Sequence, residues 1–263
     1  MWLAPSCRII LIERMPIESP NPVQPHPILT EHYRDEREKR EWLRTIFDDT
    51  ARDYDRVEGW LAMGSGRWYR RKALQRAGLA PGMVVADVAC GTGLVAREAV
   101  SIVGEMGRVI GIDPSPGMLG LASESIPIET RHGRAEAIPS DDVSFDFVSM
   151  GYALRHVDDL AVAFAEFRRV LKPDGRLCIL EITSPESRLG RGLMAAYIKT
   201  VAGVFCRVGG KSKRTSELWR YYWDTIDRCV RPQTVIEAMR ATGLRNVQRC
   251  VQLGMFSEYT GTK

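Results

Sequence analysis

The residues best able to do chemistry fall in two short runs. In the first, Asp87 ends an apolar segment, VVADV, and leads into the turn Ala89-Cys90-Gly91-Thr92-Gly93. Glycine lacks a Cβ and tolerates positive φ, so Gly91 and Gly93 let the backbone approach a bound molecule closely. Asp87 would repel a phosphate; the turn suits a ligand that carries hydroxyls and a positive charge. In the second run, YALRHVDD at residues 152–159, Arg155 stands beside His156. Histidine titrates near neutrality and is a general-base candidate, whereas arginine keeps its proton and suits the stabilisation of an anion. A histidine opening a surface loop is as often merely solvated.

Elements must exist to position these groups, and the chain supplies them in alternation. From Ala80 onward it reads as strand 84–88, helix 94–103, strand 108–113, helix 116–123, apolar stretch 126–130, strand 145–150, helix 159–171 and strand 176–182. Strands alternating with helices of this length build a parallel sheet covered on both faces, with ligands beyond the carboxyl ends of the strands. The polar clusters fall at those ends. Asp113, twenty residues past Gly93, closes the second strand and is placed to accept hydrogen bonds from two ribose hydroxyls, with Pro114 after it. Met118, a helical turn further on, either lines an adenine face or packs in the core. The turn holding Arg134, Ala135 and Glu136 offers backbone groups to an adenine edge. A Gly-rich turn alone also fits a dinucleotide site. Here, however, Ala89 stands where the first glycine of GxGxxG would be, and an acid precedes the turn.

Composition bounds the alternatives. The chain has 263 residues, 44% hydrophobic and 27% charged, with a net charge of +4, as in an ordinary globular protein with one good core. No basic stripe is interleaved with stacking aromatics, which argues against nucleic acid. The six cysteines are scattered without a CxxC pair, which favours reduced thiols and a cytoplasmic location. The four histidines lack metal-ligand spacing, so no metal is expected. No apolar run is long enough to span a membrane.

Five prolines between Pro16 and Pro27 mark an extended segment, and residues 1–30 read as a flexible leader. Residues 31–78 form a helical lid beginning with the charge-dense run EHYRDEREKREWLR; residues 79–189 form the α/β core. Residues 190–231 interrupt the alternation with the apolar run LMAAYIKTVAGVF and a basic aromatic stretch, a cap over the substrate side. Residues 232–263 return to the core as a helix and a closing hairpin.

With the turn 133–139 and RVLKPDGRL at 169–177 added, four ordered motifs are present. On these the chain resembles class I S-adenosylmethionine-dependent methyltransferases over roughly residues 45–260. Within them it is similar to the C-methyltransferases of ubiquinone and menaquinone biosynthesis, through Phe47 to Asp55, SGRWYRR at 65–71, DVACGTG, GIDPSPGML and YALRHVDD. The resemblance implies a Rossmann-like, mostly parallel seven-stranded sheet with an N-terminal lid and an inserted cap. It implies S-adenosyl-L-methionine held by Asp87, Ala89, Cys90, Gly91, Gly93, Asp113, Pro114, Met118, Arg134, Ala135 and Glu136. It further implies an aromatic or quinol acceptor handled by Tyr54 and Arg155, beside which His156 is the base candidate on chemical grounds. Two positions depart from the family. Arg134 stands where an acid usually bonds the adenine amino group, and an arginine has no acceptor for that bond. His156 stands where asparagine is usual.

An isoprenoid-tailed quinol would suit an apolar channel along 193–205. It would equally suit a basic flank at Lys211, Lys213 and Arg214 resting at the periphery of the inner membrane. A homodimer is compatible with all of this. Two other functions share the motifs: O- or N-methylation of a natural product or phospholipid headgroup, and a cofactor-binding subunit without chemistry. The intact Asp87, Gly91, Gly93 and Asp113 speak against the second.

Overall fold

The computed structural model describes residues 8–10, 23–61, 65–185, 187–208 and 213–263, and of these the side chains of 8–10, 52–61, 202–208 and 213–216 lie outside the description. Strands β2 (Val84–Val88), β3 (Arg108–Asp113), β4 (Glu129–His132), β5 (Phe145–Gly151) and β6 (Leu171–Ile182) pair in parallel, and β7 (Arg245–Gln252) and β8 (Phe256–Thr262) close the sheet antiparallel. With β1 (Arg8–Ile10) the order is β1-β7-β8-β6-β5-β2-β3-β4. Setting aside β1, this is the seven-stranded class I methyltransferase order expected above.

The central strands β2, β3 and β5 and the latter part of β6 are largely apolar runs because both faces are covered. On one face α2 (Gly66–Arg76) and α3 (Leu94–Val103) bury Leu74, Val95 and Ala99 against Val85 and Phe147. On the other, α5 (Leu160–Val170) and α8 (Pro232–Ala241) bury Phe164, Phe167 and Met239 against Val148 and Ile179. Helix α4 (Pro116–Ser125) starts where Ser115 caps it, its hydroxyl accepting from Met118 N at 3.1 Å.

A third cluster lies off the sheet. Helices α1 (Glu36–Leu61), α6 (Arg188–Val208) and α7 (Lys213–Arg228) meet around Ile46, Met194, Leu218 and Tyr221, with Leu29 and Tyr33 from the segment before α1.

Two expectations need correction. The leader is not free as far as residue 30. Leu29 is fully buried, Leu160 N donates to Val23 O at 2.9 Å, and Val230 N donates to Pro25 O at 2.7 Å. Prolines do not preclude docking where the apolar residues between them find a core and the backbone finds partners. Residues 8–10 add a short antiparallel strand to β7. Nor are all thiols reduced: Cys90, Cys178 and Cys229 are free, but Cys250, on the β7 flank that β1 covers rather than in the core, is disulfide-bonded.

Candidate active site

The carboxyl ends of β2, β3 and β5 open onto a cavity of about 610 Å³ roofed by α1. Its floor begins at the turn after β2. Ala89 and Gly91 line the cavity, both at positive φ (53° and 55°). For Ala89 this conformation costs roughly 1–2 kcal/mol, so the packed strand and helix on either side must hold it. A Cβ built on Gly91 would meet nothing within 4 Å, so the turn presents bare backbone to open space. Gly93 faces the other way: a Cβ there would lie 2.3 Å from Ile126 Cδ1. It secures the turn against α4 and is not among the lining residues.

Two buried carboxylates flank the turn. Asp113, in the cavity wall, accepts from Gly91 N at 2.8 Å and Ser115 N at 2.9 Å, which leaves lone pairs for hydroxyl donors. Asp87 lies behind the turn. Ser149 Oγ donates to its Oδ1 at 2.7 Å, and its Oδ2 has no partner among the described residues. Burial dominates both titrations, pushing Asp87 up to about 7 and Asp113 up to about 6. Each is therefore short of positive charge, a deficit that a cationic ligand relieves.

Pro114, Met118, Ala135 and the Arg134–Glu136 pair complete this end. Arg134 donates to Glu136 at 3.0 Å and to Asp158 at 2.8 Å, while Asp158 N donates to the other Glu136 oxygen at 2.6 Å. The arginine in the acidic position is thus neutralised, and both oxygens of Glu136 are already engaged. Cys90 stays out of the cavity. Its buried thiol packs toward Gly111 on β3, and burial raises its pKa well above the ordinary value.

The other end is aromatic and apolar. Met150, Tyr152, Ala153, His156 and Val157 line it with Leu43 and Phe47 of α1. His156 ends a single tight helical turn, Leu154–His156. Its ring stacks on Tyr221 (5.4 Å, 20°), meets Phe47 edge-on at 5.5 Å, and its Nδ1 lies 2.9 Å from the Tyr221 hydroxyl. Burial first, then the charges of Arg155, His26 and Lys39, hold its pKa well below 6.5, so it is neutral near pH 7.

Arg155 is not in this wall. It is buried, ion-paired with Glu181 of β6, and lies 5.4 Å over the ring of Tyr222. A buried carboxylate captures the guanidinium on the far side of the turn, and Arg155 reaches His156 only as a neighbouring charge. Tyr54 lies on α1, but its side chain is outside the described residues.

The sequence suggested a helical lid over 31–78 without singling out which α1 side chains line the cavity. Arg40, Leu43, Arg44 and Phe47 line the cavity at helical spacing, and Asp48 clamps the helix to α4, accepting from Ser115 Oγ at 2.5 Å and Gly117 N at 3.1 Å. The apolar anchors in 31–47 carried this signal. It was not separable from a helix docking anywhere on the body.

An acid at each of two adjacent strand ends, bare backbone between them, and an adjoining cavity define a class I methyltransferase site that fits S-adenosyl-L-methionine. The chain belongs to the ubiE/COQ5 methyltransferase family, whose model matches residues 34–263. Its methyl donor is S-adenosyl-L-methionine and it acts on a small-molecule acceptor. It is 33% identical over 187 residues, 70% of this chain and 78% of the other, to a demethylmenaquinone methyltransferase of Staphylococcus aureus. Solved structures share the fold. A SAM-dependent methyltransferase from Aquifex aeolicus is 22% identical with a TM-score of 0.55, covering 73% of this chain and 88% of that one. Another from Thermotoga maritima is 22% identical with a TM-score of 0.59, covering 84% and 99%.

Proposed function

We propose that the chain methylates a ring carbon of an aromatic, quinol-like acceptor. The carrying observation is the continuity of the cavity. Its Gly91–Asp113 end suits the nucleoside of the methyl donor, and it runs without interruption into an apolar, aromatic end where, among the described residues, His156 is the only imidazole in the wall besides His132. A planar ring packs between such walls, and a hydroxyl on it reaches His156.

The donor supplies an electrophilic methyl group on a sulfonium. Transfer forms a bond from the ring carbon to the methyl carbon. The sulfur–methyl bond breaks with its electron pair left on sulfur, and the ring carbon's hydrogen leaves as a proton to solvent. The protein's main contribution is to hold the two centres in line, an effect worth several kcal/mol. Asp113 holds ribose hydroxyls, and Asp87 balances the positive charge. Helix α1 acts as the lid. Tyr54, seven residues past Phe47 on α1, is assigned to the acceptor on the family resemblance alone. Arg155 acts through its charge. The identity to a demethylmenaquinone methyltransferase supports a quinol. Leu189 and Leu193 on α6, 75% and 64% exposed, support delivery from a membrane surface, although no described helix is long and apolar enough to cross one.

The test is to incubate the protein with methyl-labelled donor and a panel of quinols, simple phenols and ethanolamine lipids, then weigh the products. Label on quinols supports the reading. Label on amines alone overturns it.

A further inference from the structure

Tyr221 of α7 does not reach the cavity wall, yet it fixes the one imidazole at the acceptor end. Its side chain is fully buried. Trp42 packs at 4.6 Å and His32 edge-on at 5.4 Å, while His32 is itself tied to Asp224 at 3.1 Å. The phenol therefore has little freedom, and its hydroxyl points at His156 Nδ1 at 2.9 Å.

That contact can carry its proton in either sense, and the surroundings decide which. The neighbouring ring is Tyr33, at 6.5 Å; its hydroxyl is buried, interacts with that of Tyr221, and has no well-aligned hydrogen-bond partner among the described residues. If His156 Nδ1 carried the proton and donated to Tyr221, the Tyr221 proton would have to turn toward Tyr33. One hydroxyl proton would then be stranded in the interior, an unmet donor that burial makes costly. If Tyr221 donates to Nδ1, its own proton is met and its oxygen stays free toward the Tyr33 hydroxyl, which is the cheaper arrangement. The imidazole proton then sits on Nε2, which has no protein partner among the described residues, on a ring that lines the cavity.

We propose that Tyr221 is a positioning residue that locks His156 as the Nε2–H tautomer, so that His156 donates a hydrogen bond to the acceptor oxygen and does not serve as its base. This rests on the reading of the cavity's aromatic end as the acceptor site. A donor aimed at the acceptor oxygen favours binding of the acceptor as its phenolate, the hydroxyl proton having left to solvent, and the ring carbon of a phenolate is far more nucleophilic than that of the neutral phenol. The charges facing His156 agree with this role: Arg155 beside it and Lys39 and His26 from the N-terminal region all oppose a second proton on the ring.

The test is nitrogen NMR of the full-length protein labelled at histidine, saturated with the demethylated product cofactor. The lock gives His156 a pyridine-like Nδ1 and a protonated Nε2, unchanged across neutral pH. In Tyr221→Phe the two tautomers mix, kcat falls about tenfold and cofactor affinity holds. His156→Gln, which keeps an N–H donor, retains more turnover than His156→Ala. A protonated Nδ1 in the wild-type protein, or a Tyr221→Phe protein with the wild-type tautomer, overturns the proposal. The tautomer readings need no acceptor. A confirmed Nε2–H together with label only on amines would instead sink the quinol reading and leave the tautomer assignment standing.

Discussion

The two ends of the cavity are built by different means. The cofactor end is backbone and strand termini: Ala89 and Gly91 in a strained turn, with Asp87 and Asp113 closing adjacent parallel strands within 27 residues of chain. The acceptor end is assembled across the whole sequence. Phe47 comes from α1, His156 from the loop after β5, and Tyr221 from α7, 65 residues further on. The first can be kept while the second varies, which lets one fold serve many acceptors.

Predictions that separate the two ends can be ranked by size. The largest effect is expected for Gly91→Val. Its Cβ projects into open cavity at positive φ, so cofactor affinity should fall about a hundredfold, equivalent to ~2.7 kcal/mol, while circular dichroism shows a folded sheet. Near-normal affinity would mean the donor does not lie against this turn. Next, Asp113→Ala should weaken cofactor binding about tenfold by calorimetry, in line with the ~1.5–3 kcal/mol of hydrogen bonds to a charged group. Unchanged affinity would remove the ribose assignment.

A change at the other end should leave binding alone. His156→Ala should lower turnover about tenfold or more, the size of one lost oxyanion donor or less, with cofactor affinity within about twofold. A parallel loss of affinity would show the two ends to be one unit.

The pH dependence of cofactor binding should follow the acids. A buried carboxylate with a raised pKa is protonated below it, and a cationic ligand binds the ionised form. Affinity should therefore rise as pH climbs through about 6 and then about 7, as Asp113 and then Asp87 lose their protons. The groups facing them are Ser149, Arg70, Asp48 and His132, of which Arg70 and His132 favour the ionised carboxylates. Asp87→Asn should flatten the upper part of that curve, and an unaltered curve would exclude Asp87 as its source. The smallest effect is expected on the surface. Leu189→Ser with Leu193→Ser should reduce sedimentation with anionic vesicles while turnover on a short-tailed quinol is retained.

The same contrast explains what could be read from the sequence. The order of elements from Val84 to Ile182 followed from alternating apolar runs, because strands buried on both faces leave no other pattern. The turn and its two acids were legible because close backbone approach demands glycine and a strand end demands a particular residue. The acceptor end was legible only as YALRHVDD. Whether Arg155 or His156 faces the cavity depends on Glu181, which captures the arginine from a strand 26 residues away. The basicity of His156 depends on burial that α1 and α7 supply. Docking of residues 23–30 was hidden for a related reason: proline density records the lack of regular structure, not the lack of a partner surface.

We propose that the methyl group goes to a ring carbon of a quinol set between His156 and the donor. The most direct measurement is NMR of the product formed from isotopically labelled donor and a demethylated quinol. The label is expected as a methyl on the ring carbon, coupled to ring atoms. A label bound through oxygen, as a methyl ether, would contradict it.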